Sequence, residues 1–340
     1  MIRTLLFLVN ILLLSSFHNM IVQPTVFVLG AGASEPYGFP LGSNLAAQIC
    51  AIMPSTVRNQ PPTNEHFRLL QKWLKEGGHE VDVPAASELS RRFLESGCLT
   101  LDEFLEPAGN HGFLPLIKAA IAYHLILHEQ DSHLVTVSPK TDWVAYLFRE
   151  MRTSDPAEFE KNTVRFITFN FDRSLERKLF LMLRSSYGIS DAEASQIAAK
   201  VPIAHVHGSL GGASWFPNSD HGARDYANDV DRNTYGHLVD EIRIIHEEVR
   251  DSNVLTTIHE WLRQAHTICF LGFGFHPTNT GRLNLMHPYT AAIFGTALGL
   301  SRPEIMRAQR RFMSGVTLFA DLDCYRLIRE IGGVLQTDGG

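Results

Sequence analysis

The segment that most constrains this chain is Thr25 to Leu29, Thr-Val-Phe-Val-Leu, which runs without a break into Gly30-Ala31-Gly32-Ala33-Ser34. Five residues that are apolar or β-branched on both faces suit a strand buried on both sides in a parallel sheet. The small residues after it suit a backbone that another group must approach closely. The pattern recurs. Val164, Phe166, Ile167 and Phe169 form a short apolar run ahead of a charged helix, Arg173 to Leu183. Pro202 to Val206 leads into His207-Gly208-Ser209-Leu210, and Thr267 to Leu271 leads into Gly272.

Between these runs the apolar period changes. From Glu65 to Arg149 apolar residues fall at helical spacing, as at Leu116, Ala119, Ala120, Tyr123 and Leu127, and the helical pattern returns from Tyr235 to Gln264. Strands that alternate with helices and end in small or polar loops predict an α/β fold: a Rossmann-like open parallel sheet flanked by helices, with a helical module inserted at about 51–160. The 340 residues are accommodated by one such domain over 21–340, because there is neither an internal repeat nor a low-complexity linker.

Composition removes several classes of function. Hydrophobic residues make up 45% and charged residues 19%, enough apolar material for a large core. Thirty Lys and Arg against thirty-six Asp and Glu, with no long basic run, argue against direct nucleic-acid binding. Cys50, Cys98, Cys269 and Cys324 stand far apart, which suggests neither a disulfide framework nor a thiolate zinc site, and points to a reducing, cytoplasmic compartment. His124 and His128 share helical spacing but have no third partner assignable from sequence, so no metal is expected. Residues 1–20 form an apolar leader of doubtful status. Arg3 precedes an apolar run, Leu5 to Leu14, that is too short to span a bilayer comfortably and is followed by no small-residue cleavage pair; Met20 offers a second start. No membrane contact is expected.

The loop Gly30 to Ser34 reads as a nucleotide-binding turn whose amides are free to donate to a diphosphate. Glu35 stands where the dehydrogenase fingerprint has its third glycine, so a tight turn that binds nothing is the alternative. Asn170 and Asp172, two apart, face one side if the segment stays extended, or else they terminate a strand and cap the following helix. His205 and His207 alternate in phase, and one of them can be a packed core histidine; His207 is preferred as functional because Gly208 leaves room for a ligand. Gly272 and Gly274 are either ligand-facing or only a turn.

Four of these blocks, taken in order, resemble the sirtuin (silent information regulator) superfamily: Gly30 to Ser34 continued by Gly38-Phe39-Pro40, Thr168-Phe169-Asn170-Phe171-Asp172, His207-Gly208, and Leu271-Gly272-Phe273-Gly274-Phe275. The last, and more weakly Leu101-Asp102-Glu103-Phe104-Leu105, are similar to the bacterial antiphage-defence branch. Two departures count against a deacylase. Leu41-Gly42-Ser43 replaces the family's aspartate-phenylalanine-arginine, and no cysteine occurs between Gly211 and Ala265 for the usual zinc. The resemblance therefore implies an NAD+ glycohydrolase that releases nicotinamide and ADP-ribose, a toxic effector that depletes cellular NAD+. It implies NAD+ as substrate with no metal, and either a homo-oligomer or a separately encoded sensor as partner. Asn170 and His207 would be catalytic. Gly30, Ala31, Gly32, Ala33, Ser34, Asp172, Gly208, Gly272 and Gly274 would contact the dinucleotide. Cleavage of the nicotinamide–ribose bond passes through an oxocarbenium-like state, for which Asn170 can hold a ribose hydroxyl or water while His207 accepts a proton. The alternatives are a zinc-free deacylase or ADP-ribosyltransferase, and a module that binds NAD or ADP-ribose without turnover.

Overall fold

In a computed structural model, residues 20–54, 65–76, 82–212, 224–227, 232–244 and 252–335 are described. Of the apolar leader at 1–20, residues 1–19 lie outside them. Among the described residues six strands form one sheet: β1 (Thr25–Leu29), β2 (Val164–Thr168), β3 (Ile203–His205), β4 (Thr267–Leu271), β5 (Ala292–Thr296) and β6 (Thr317–Phe319). Their order is β3-β2-β1-β4-β5-β6 and every pairing is parallel, with Thr25 opposite Val164 on one side and Thr267 on the other. This is the Rossmann-like α/β architecture that the sequence pattern implies. The strand expectations differ from it at one end. β5 and β6 extend the sheet beyond Thr267 to Leu271, in segments where the sequence pattern predicts no strand.

Alternation along β1 divides the core into two layers. Phe27 and Leu29 face a cluster that includes Phe166, Cys269 and Leu271, whereas Val26 and Val28 face Ile167, Ile268 and Phe270. The first layer is covered by helices from the long span between β1 and β2: α1 (Gly42–Ile52), α2 (Glu65–Glu76), α3 (Val83–Ser96), α4 (Leu101–Leu105), α5 (Leu114–Gln130) and α6 (Trp143–Met151). Then come α7 (Ser174–Tyr187) and α8 (Asp191–Ala198). Helices α9 (Arg232–Glu241) and α10 (Ser252–Gln264) replace the single helical run expected over Tyr235 to Gln264; Ile242 to Ile244 between them are not helical. Ile258 and Leu262 of α10 pack on the second layer. The chain closes with α11 (Pro277–Arg282), α12 (Arg302–Gln309), α13 (Cys324–Glu330) and α14 (Gly332–Leu335).

In this strand order the connections from β1 and β4 leave in opposite directions. The crevice beyond their carboxyl ends is therefore the topological switch point, where ligands of open α/β sheets bind. No described helix is long and apolar enough to cross a membrane.

Candidate functional site

Gly30 to Ser34 lies at this switch point, but it does not lead directly into an α-helix. Ala31–Ala33 and Glu35–Tyr37 are short 3-10 turns, and α1 starts only at Gly42. The amides are also not free as expected. Gly30 N donates to Leu271 O (3.0 Å), Gly32 N to Gly272 O (3.0 Å), Ala33 N to Gly30 O (2.9 Å) and Ser34 N to Ala31 O (3.1 Å). Of the five, only Ala31 N has no acceptor among the described residues.

The glycines serve the same loop-to-loop contact. A Cβ on Gly30 would lie 2.5 Å from Gly272 O, and one on Gly32 would lie 2.8 Å from Gly272 Cα. Gly272 itself has φ +56°, with Ala33 N only 2.2 Å from where its Cβ would stand. The first and last glycine motifs are thus two loops pressed together at the ends of β1 and β4. From behind, the buried Trp143 donates from Nε1 to Ala33 O (2.7 Å), and Tyr37 donates to Asp142 Oδ1 (3.1 Å). Asp142 in turn pairs with Lys178 (2.6 Å).

Two cavities open at this junction and share Ala31, Gly42, Phe273 and Gly274. The smaller, about 200 Å³, is lined by Ser34, Asn170, Asp172, Phe171, His276 and Asn279 among others. The larger, about 850 Å³, runs past Glu35, Thr296, Leu298 and Asp323 toward the β5 and β6 ends. Small-molecule sites typically enclose roughly 300–1,000 Å³, a range that the larger cavity reaches alone and the smaller does not. Gly274 differs from the other glycines, because a Cβ there would meet nothing within 4 Å.

Asn170 follows β2. Its Nδ2 donates to Gly30 O and to Ser34 Oγ, both at 2.9 Å, which uses both amide hydrogens. No described donor takes Oδ1. Asn170 therefore meets the smaller cavity as an acceptor. Asp172 also lines the cavity and bonds the first residue of α7, whose cap position is Arg173: Oδ1 accepts from Ser174 N (3.0 Å) and from Ser174 Oγ. Burial pushes its carboxyl above the usual range against these bonds.

The two histidines divide clearly. His205 donates from Nδ1 to Asn170 O (3.1 Å) and meets Glu176 through Nε2 (2.6 Å). Burial opposes its charged form, but Glu176 outweighs this and raises its pKa. It is the brace under Asn170. His207, 4% exposed, is absent from the cavity wall. It lies between Arg282, whose Nη1 is 3.0 Å from Nδ1, and Asn279, whose Oδ1 is 3.2 Å from Nε2. Burial, with Arg282 second, lowers its pKa to about 4. Gly208 does not open a path to a ligand, since a Cβ at its φ of +76° would stand 2.0 Å from Glu241 O.

His276 and Asn279 went unseen in the sequence. The signal available was Pro277, which starts α11 with His276 as its cap, Nδ1 accepting from Thr278 N (3.3 Å). Among the described residues no group of three or more His, Cys, Asp or Glu could hold a metal ion. His128 is instead bonded to Gln48 Oε1 (2.9 Å).

No family model and no curated protein matches the chain. Among solved structures, the chain is similar to a Sir2 protein crystallised with the inhibitor EX-527, 2′-O-acetyl-ADP-ribose and a deacetylated p53 peptide. The identity is 13%, over 91% of this chain and 94% of that one, with a TM-score of 0.34.

Proposed function

We propose that this protein hydrolyses NAD+ to nicotinamide and ADP-ribose. The bond from ribose C1′ to the nicotinamide nitrogen breaks with its electron pair leaving on nicotinamide. A water oxygen then bonds to C1′, and one proton is released. The observation that carries this reading is Asn170, whose amide nitrogen is spent on Gly30 and Ser34 and whose Oδ1 is left to the cavity at the switch point. An amide oxygen accepts from a ribose hydroxyl or from the attacking water, and its partial negative charge favours the positive charge that grows on the sugar. The larger cavity has room for the adenosine half of the dinucleotide, and Ala31 N–H at the junction is available to a diphosphate oxygen. Uncontrolled, the reaction drains a cell of NAD+, as a toxic effector of antiphage defence requires; a sensor protein or self-assembly of the chain would set when it starts.

The burial of His207 favours the second reading, a module that binds the dinucleotide without turnover. Product analysis separates the two. The purified full chain incubated with NAD+ is expected to release nicotinamide and ADP-ribose in equal amounts, with or without an acylated peptide. Nicotinamide release that depends on the peptide would instead indicate a deacylase, and binding without product would indicate the module.

A further inference from the structure

We infer that Asn279 is a substrate-contacting residue of this site, and that His207 and Arg282 are positioning residues that hold its amide with Nδ2 left to donate to a substrate oxygen. The inference rests on the NAD+-cleaving reading and departs from the sequence assignment of His207 as the base.

Hydrogen-bond chemistry fixes the arrangement. Asn279 and Arg282 lie three residues apart on α11, a spacing that brings side chains to one face. Arg282 Nη1 reaches both ring nitrogens of His207, at 3.0 Å to Nδ1 and 3.3 Å to Nε2. A guanidinium only donates, and a neutral imidazole has one lone pair. Asn279 Oδ1, 3.2 Å from Nε2, only accepts. One assignment satisfies both partners: Nδ1 carries the lone pair for Arg282, and Nε2–H donates to Asn279. A second proton on the ring would set Nδ1–H against the guanidinium in a place almost closed to water, with Phe169 and Phe171 packed on the ring at 5.4 and 6.2 Å.

The charged groups around the ring agree with this. Arg282 disfavours protonation directly and is itself balanced by Asp102 of α4. Arg243, whose backbone amide bonds His207 O, points its side chain to Asp240 O and Ile242 O. Asn279, not His207, lines the cavity. With Oδ1 taken by His207, its Nδ2 hydrogens have no acceptor among the described residues, and a donor there complements Asn170 Oδ1 as acceptor.

The test follows nicotinamide release from NAD+ by the full chain, alongside NAD+ binding and melting temperature. Asn279→Ala, His207→Ala and the isosteric Asn279→Asp, which keeps the bond from His207 but loses the donors, are each expected to lower kcat about a hundredfold, as losing one preorganised donor does. His207→Gln, whose amide can still donate to Asn279, should recover to within about tenfold of wild type. In Arg282→Met burial still lowers the pKa of the ring but the guanidinium no longer does, so the titration of His207, followed by the NMR signals of the ring, should move upward from its wild-type position toward the ordinary histidine value of about 6.5. A His207→Gln variant that binds NAD+ and melts like wild type yet is as slow as His207→Ala would overturn the inference by showing that the ring moves a proton itself. Wild-type rates in both Asn279 variants would overturn it equally. A wild-type chain that releases no nicotinamide would remove the NAD+-cleaving reading, and this inference with it.

Discussion

Gly32 and Gly274 belong to similar small-residue motifs, yet their surroundings are opposite. Gly32 is a glycine because Gly272 Cα stands against it, and Gly274 faces open cavity. Gly32→Val should therefore drive the two loops apart and lower the melting temperature, so that any loss of NAD+ binding is secondary to damage in the fold. Gly274→Val should melt like wild type and weaken NAD+ binding at least tenfold by filling the wall shared by the two cavities; thermal melting with binding titration separates the cases. At this scale the sequence showed where glycines matter but not why. The motif Gly30 to Ser34 is legible because a strand ending in small residues is locally distinctive, whereas its partner, Gly272, is about 240 residues away along the chain. The choice between His205 and His207 was equally out of reach. Both sit in one short segment, and it is Glu176 and Arg282, from other elements, that make one a brace under Asn170 and the other a link to Asn279.

Elements were readable where their apolar pattern was continuous. β1 and β4 are five-residue runs of apolar and β-branched residues and are legible in the sequence; β5 is broken by Gly295 and β6 is three residues long, and neither carries a local signal. Gly295 has a tertiary cause that no local pattern shows, since a Cβ there would press on Leu318 (2.9 Å), Phe270 (3.1 Å) and Phe275 (3.3 Å). A second long-range feature joins α5 to α7. Glu129, fully enclosed, accepts from Arg173 Nε and Nη2 (both 3.1 Å) and from Arg224 Nη2 (2.5 Å), which ties residues 224–227 beside the site. Removing one member of a buried ionic cluster leaves uncompensated charge, at a cost of about 3–5 kcal/mol. Glu129→Ala should lower the urea midpoint accordingly. An unchanged midpoint would show that the two arginines find other partners.

The whole molecule records its buried histidines in its response to acid. His207 and His124 are both held to about 4, chiefly by burial, so between pH 6.5 and 4 the unfolded chain binds protons that the folded one refuses. These two groups make stability fall as pH drops through that window. His205, raised by Glu176, works in the other direction: its contribution is complete below about pH 6.5 and is lost as pH rises through its folded value. Urea midpoints at pH 7, 5.5 and 4.5 should decline in that order, and a rising series would contradict the burial of His207 and His124. The same burial removes His207 from the cavity and leaves Asn170 at the centre of the account. The most direct measurement is therefore the rate of nicotinamide release at saturating NAD+ for wild type and Asn170→Ala, with binding and melting followed on both proteins. The account predicts a loss of at least about a hundredfold in rate, with NAD+ still bound and the fold retained. Equal rates in the two proteins would contradict it.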